Sequence, residues 1–298
     1  MLENLTTEKR NDSTKNLDRL SIEEAVNMMN QEDSQVITAI KQKTGQITAV
    51  IEQVVHSLKE GGRVFYFGAG TSGRLGILDA AECVPTFSTD PELVKGIIAG
   101  GESAMTVAVE GAEDSLTLAE EDFKERHLTN KDIVIGISAS GRTPYVIGGL
   151  KYAATIGATT ASISCNEHSE ISQFASYPIE VSPGPEVLTG STRLKAGTTQ
   201  KLILNMISTI SMVHFGKVYG NLMVDVKPTN EKLVERAKNI IMEATGASRE
   251  VATKYFEDSD QQVKLAIVRI LTKTSKEEGQ QLLDSNDGFI RKAVDSKE

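Results

Sequence analysis

The chain has no tryptophan, only two cysteines and four histidines, and no excess of basic residues. Each shortage removes a class of protein. Cys83 and Cys165 lie far apart and outside any Cys-x-x-Cys spacing, so a disulfide framework is not expected. With so few histidines a zinc site has little to draw on, and no metal is expected. A net charge of −9 argues against a general nucleic-acid binder and against an anionic membrane surface. It leaves room for a phosphorylated small molecule, because backbone N–H groups hold phosphate without net positive charge. No apolar run approaches the roughly 18 residues that cross a bilayer. The opening MLENLTTEKRNDSTKNLDRL is charged in both signs and lacks an apolar core, so a secretion signal is not expected. A soluble protein of a reducing cytoplasm is the expectation.

What is present is organised in three stretches. Residues 1–60 form a helical N-terminal arm, polar and irregular up to residue 19. Ser21 and Glu24 then fit a capping box. Apolar residues recur at helical spacing through Ile37, Ile40, Ile47, Val50, Ile51, Val54, Val55 and Leu58, with a split expected near Glu32-Asp33-Ser34. Between residues 61 and 226 short apolar runs alternate with helix-like segments. The runs are Val64–Phe67, Val94–Ile98, Ile133–Ile137, Thr160–Ser164 and Ile179–Val181; the segments are 73–81, 104–126, 144–156 and 169–175. This texture predicts an α/β fold, a doubly wound parallel sheet with helices on both faces and ligands at the carboxyl ends of its strands. A long buried helix follows at 197–217. After Lys227-Pro228-Thr229-Asn230 the remainder, 227–298, reads as a small bundle of about three helices.

Two loops at strand ends carry the chemical signal. Gly68, Gly70 and Gly73 have the G-x-G-x-x-G spacing of dinucleotide sites, and Asp90 and Glu92 stand near the distance of the ribose-binding acid. Thr71 and Ser72, however, place two hydroxyls where the next helix begins, which suits a single phosphate. A second junction, Ile137-Ser138-Ala139-Ser140-Gly141-Arg142-Thr143-Pro144, again puts hydroxyls and a glycine between a strand and a helix start. Pro144 fits the first turn of that helix, where a missing N–H costs nothing. Either loop alone is an ordinary strand-to-helix turn; together they read as a phosphate clamp built from Gly70, Thr71, Ser72, Ser138, Ser140, Gly141 and Thr143.

The S-x-S-G-x-T pattern after a strand resembles the sugar isomerase (SIS) domain, a phosphosugar-binding, flavodoxin-like fold. GPEVLTGSTRLKAGT, residues 184–198, is similar to the signature shared by the N-acetylmuramic acid 6-phosphate etherases and the glucokinase regulatory proteins. GAGTSGRLGILDAAEC, VEGAEDS, ASGRTPYV and NLMVDVKPTNEKL resemble the etherase pattern, so the likeness covers essentially the whole chain.

This resemblance implies cleavage of the D-lactyl ether of N-acetylmuramic acid 6-phosphate, giving N-acetylglucosamine 6-phosphate and D-lactate. Once the sugar opens to its aldehyde, the C2 proton is acidic, lactate can leave from C3, and water can add to the unsaturated aldehyde. The route asks for one base and one acid, with no metal or redox cofactor. By the resemblance Glu82 is the proton donor to lactate and Glu113 the base at C2; the residues alone do not separate Glu82 from Asp79, or Glu113 from Glu110 and Asp114. Glu186, Ser191, Thr192 and Lys195 are expected to line the same cleft. Glu186 is a third acid–base candidate for ring opening, or else an N-cap or an ion-pair partner of Arg193 or Lys195. The resemblance also implies a homodimer packed through helices, for which the apolar stripe at 37–58 is suited. A phosphosugar-sensing regulator without catalysis and an aldose–ketose isomerase are the competing readings.

Overall fold

The computed structural model describes residues 5–107, 109–226, 228 and 230–297. The first four residues of the polar opening, and Lys227 and Thr229 of the expected break, lie outside them.

The polar lead is ordered rather than irregular. It makes three single turns of 3-10 helix, Thr6–Glu8, Asp12–Thr14 and Leu17–Arg19. Thr7, Asn11 and Thr14 are buried and each makes hydrogen bonds to a distant part of the chain. Asn11 Nδ2 donates to Glu32 Oε2 at 2.8 Å, and Thr14 Oγ1 donates to the Val187 carbonyl at 2.9 Å. The capping box of Ser21 and Glu24 opens helix α1, Ile22–Lys41. The split expected at Glu32-Asp33-Ser34 does not occur. Glu32 turns inward to the Lys195 ammonium at 2.7 Å and Ser34 bonds its own helix, so the break falls before α2, Thr44–Lys59.

Lys195 has no exposed surface, so Glu32 is the group that makes its burial tolerable. Burial alone would push the Glu32 carboxyl up. The hydrogen bonds from Lys195 and Asn11, with the Lys195 charge, outweigh it and hold the carboxyl below its ordinary value. The resulting stability is complete above the unfolded-state pKa of Glu32 and is lost as pH falls through the lower folded value. Glu32→Ala should cost about 3–5 kcal/mol, because it strands a buried ammonium. Urea denaturation at neutral pH measures this; a loss below about 1 kcal/mol would show the pair to be incidental.

The sheet has five parallel strands in the order β2-β1-β3-β4-β5. They are β1 (Val64–Gly68), β2 (Val94–Ile98), β3 (Ile133–Ser138), β4 (Thr159–Ser164) and β5 (Tyr177–Glu180). Helices α3 (Gly70–Phe87), α4 (Leu118–Glu125) and α5 (Pro144–Ile156) join them. Register sets Gly68 beside Ile98 on one side and Ile137 on the other, so the β1 and β3 ends are level. β1 and β3 are buried along their whole length, as expected for a sheet covered on both faces. On one face Phe65, Phe67, Phe123 and Tyr145 meet edge to face within the main core. On the other, α3 packs so closely that a Cβ on Gly76 would lie 3.0 Å from the Tyr66 Cβ.

Some boundaries move. β5 begins two residues before the expected run and carries Pro178, which an edge strand tolerates. The helix-like reading of 104–126 resolves into a 3-10 turn, Glu102–Met105, and α4, with Gly111 at φ +78° in the loop between them. The apolar stripe is also divided. Ile47, Val50, Val54 and Leu58 of α2 are buried in this chain's own fold, whereas Ile22, Val26, Met29 and Ile37 of α1 are exposed.

The long helix α6, Lys195–His214, follows β5. The chain forms two compact units: one takes in residues up to Ala81 together with Pro91–Ser208, the other Glu82–Asp90 and the residues from Thr209 on. In the second unit a short hairpin, β6 (Val218–Tyr219) and β7 (Leu222–Met223), precedes five described helices rather than about three. These are α7 (Glu231–Thr245), α8 (Arg249–Asp258), α9 (Val263–Thr272), α10 (Lys276–Ser285) and α11 (Ile290–Asp295). Side chains of Asn230, Ser248 and Ser275 cap three of them, and Phe256, Ile241, Ile267 and Leu283 are among their shared core. Among the described residues no helix is long and apolar enough to cross a membrane.

Candidate active site

The order 2-1-3-4-5 reverses direction between β1 and β3, and open parallel sheets take their ligands outside the strand ends at such a point. Both hydroxyl-bearing loops arise there. After β1 the chain turns at Gly70, at φ +54°, into α3. The turn is tight: a Cβ on Gly73 would lie 2.5 Å from the Gly68 carbonyl oxygen. The helix start is thereby held against the strand, with its first amides at the carboxyl end of β1. Thr71 is half-buried at this start. Ser72 is buried and donates to Gln200 Oε1 of α6 at 3.1 Å.

The second loop is organised around Ser138. Its Oγ accepts from the Gly141 N–H at 3.0 Å and shares hydrogen bonds with Thr143 Oγ1 at 2.8 Å and Ser140 Oγ at 3.3 Å. Thr143 is the N-cap of α5, yet its hydroxyl is turned to Ser138 and caps nothing. One free amide of α5 finds a different partner: Tyr145 N–H donates to the Glu113 carbonyl at 3.0 Å. This bond ties the Glu113 loop to the serine loop. Asn166 supports the loop from behind, its Nδ2 donating to the carbonyls of Ala139 and Ser140 and to Thr7 Oγ1.

A pocket of about 110 Å³ opens beside the first loop, with Gly70, Arg74, Ala104, Val109 and Glu113 among its walls. Gly70 and Glu113 thus line the same pocket. Among the described residues no hydrogen bond or ion pair reaches the Glu113 carboxyl. Glu113 is exposed as a residue, but enclosure of its carboxyl pushes the pKa up, and the neighbouring charge of Asp114 adds to the rise. Arg74 has its Nε on the Met105 carbonyl at 2.9 Å and its Nη2 on the Ala104 carbonyl at 2.7 Å.

Other expected members lie elsewhere. Glu186 is buried and accepts the Lys195 and Ala196 N–H groups at 2.8 and 2.9 Å, which makes it the cap of α6. Burial raises its carboxyl, and the two amides pull it back only in part. Lys195 is spent on Glu32. The cap at the α6 start is the N-cap alternative for Glu186, and Lys195 pairs with Glu32 rather than with Glu186. Ser191 and Thr192 are half-buried in the turn before α6 and are not among the walls of the pocket. Glu82 is exposed on α3, the helix that starts at the first loop, and is not among the pocket walls. Asp79, its rival in the sequence, is buried and takes hydrogen bonds from Asn205, Ser208 and Tyr66, a structural role. Among the described residues no three His, Cys, Asp or Glu side chains converge to hold a metal ion.

Sequence reasoning passed over Arg74 and Asn166. Arg74 had a signal: it is the single charged residue in the fifteen from Val64 to Leu78. Asn166 had none.

Comparisons with known proteins place the fold and the family. Residues 46–154 match the glucokinase regulatory protein N-terminal SIS domain, and residues 115–210 match the SIS domain. A phosphoheptose isomerase from Francisella tularensis superposes with a TM-score of 0.50 at 16% identity, over 65% of this chain and 100% of its own. A protein of Escherichia coli superposes with a TM-score of 0.50 at 15% identity, over 68% of this chain and 97% of its own. Fold and loops define a SIS-domain protein. Relatives at much higher identity narrow the class. N-acetylmuramic acid 6-phosphate etherase 2 of Enterococcus faecalis is 62% identical, covering 98% of this chain and 99% of its own. The N-acetylmuramic acid 6-phosphate etherase of Bacillus cereus is 60% identical, covering 99% and 100%. The chain belongs to the N-acetylmuramic acid 6-phosphate etherase family.

Proposed function

We propose that this protein is a carbon–oxygen lyase that cleaves the D-lactyl ether of N-acetylmuramic acid 6-phosphate to N-acetylglucosamine 6-phosphate and D-lactate. The observation that carries the reading is 62% identity to an etherase over 98% of the chain. The geometry is compatible with it: the Glu113 carboxyl, without a hydrogen-bond or ion-pair partner among the described residues, lines a pocket at the end of β1 next to Gly70.

In the proposed reaction the 6-phosphate rests on the Gly70–Ser72 and Ser138–Thr143 loops, where backbone amides and hydroxyls face the strand ends. Glu113 removes the C2 proton of the open-chain aldehyde. Glu82 gives a proton to the lactate oxygen as the C3–O bond breaks. Water then adds to C3 of the unsaturated aldehyde. A base with a raised pKa suits a carbon acid, because its basicity is greater. The protein is proposed to act in the cytoplasm as a homodimer, and the exposed Ile22, Val26, Met29 and Ile37 of α1 supply an apolar stripe for the second copy.

Incubating the purified protein with N-acetylmuramic acid 6-phosphate in EDTA is expected to release D-lactate in equimolar amount with N-acetylglucosamine 6-phosphate. No lactate from authentic substrate, with circular dichroism showing a folded protein, would overturn the reading.

A further inference from the structure

A lyase for a lactyl ether has to distinguish its substrate from the same amino sugar without the lactyl group. The charged part of that group is one carboxylate, and the site has one unused device for it. Arg74 is the cationic wall of the Glu113 pocket. Its guanidinium is fixed but not neutralised. The Nε and Nη2 edge is satisfied by two neutral carbonyls at 2.9 and 2.7 Å, while among the described residues no carboxylate comes within ion-pair distance. Nη1 and the second Nη2 hydrogen remain as a forked pair of donors, the geometry that matches a carboxylate. Glu113 shares the pocket without pairing with Arg74, so acid and cation are both left for a ligand.

We propose that Arg74 binds the carboxylate of the lactyl group and thereby sets the specificity of the site. The inference rests on the etherase reading and on Glu113 as base at C2. The lactyl oxygen is bonded to C3, next to C2, so a base at C2 and the carboxylate are only a few bonds apart. The C6 phosphate stands at the far end of the same carbon chain. A small pocket of about 110 Å³ suits the lactyl end and leaves the phosphate to the loops. The two carbonyls also explain why the guanidinium needs no carboxylate from the protein: they orient it while leaving its charge intact.

The test compares N-acetylmuramic acid 6-phosphate with its lactyl carboxamide, which keeps the shape and loses the charge. Wild-type protein is expected to prefer the carboxylate by about 10- to 100-fold in kcat/KM. In Arg74→Gln the preference collapses to below about threefold, through loss on the carboxylate alone. Arg74→Lys keeps part of it, because charge remains without the fork. Inhibition by N-acetylglucosamine 6-phosphate, which shares the phosphate and C2, is measured alongside to report on the rest of the site. If Arg74→Gln weakens both substrates and this inhibitor equally, the arginine serves the phosphate or only anchors residues 104 and 105, and the proposal fails. An unchanged preference also overturns it. Should wild-type protein release no lactate at all, the activity is what fails; equilibrium binding of the carboxylate and carboxamide sugars then tests Arg74 by the same preference.

Discussion

Glu113→Gln is expected to lower lactate release by about 10²- to 10⁴-fold, the usual share of a positioned base. Uptake of deuterium at C2 of N-acetylglucosamine 6-phosphate in D₂O should fall with it. The amide keeps the size of the side chain, and the loop is held through the Glu113 carbonyl on Tyr145, so the fold should survive. The pH dependence supplies an independent check. Enclosure raises the Glu113 carboxyl and Asp114 raises it further. A base is active when ionised, so activity should be lost as pH falls through this raised value, placing the acid limb of kcat/KM above the ordinary carboxylate range. Asp114→Asn removes the second cause and should move that limb to lower pH. Full deuterium uptake by Glu113→Gln would remove it as the base; an unmoved limb in Asp114→Asn would assign the limb to another group.

Glu82→Ala is expected to stop the reaction one step later. Without a donor the lactate oxygen must depart as an alkoxide, and release should fall by about 10²- to 10⁴-fold. Proton removal from C2 does not require that donor, so deuterium uptake should persist. The two variants therefore separate: one loses exchange and cleavage, the other cleavage alone. Normal lactate release by Glu82→Ala would end the assignment of the acid. Loss of exchange as well would place Glu82 in C2 chemistry rather than in departure of the leaving group.

The strands were legible because β-branched runs too short for helices leave few alternatives, and β2 matches its expected limits, Val94–Ile98. Helix α5 was equally plain, with Pro144 at its first turn and Gly157 in the left-handed conformation just past its end. What escaped the sequence is held by hydrogen bonds between distant residues. Thr7 with Asn166, and Glu32 with Lys195, join positions more than 150 residues apart. No local pattern announces such a pair, so the opening turns read as irregular polar chain and the Glu32 partner of Lys195 goes unseen. The two loops of the site were visible as hydroxyls and glycines at strand ends. That Ser138 would turn Thr143 away from its helix, and leave the Glu113 carbonyl to hold Tyr145, depends on a loop contributed from another part of the chain.

The two outer strands carry a consequence for how copies of this protein meet. β5 has Pro178, which offers no N–H for a further ladder, and β2 at the opposite edge has Lys95 paired with Glu92. A proline and a charged side chain at the margins discourage another strand from docking there. The sheet is thus closed to growth without being rolled into a barrel. Copies that associate are steered toward contacts between helices, and a partly opened molecule is deprived of the template on which fibrillar stacking starts.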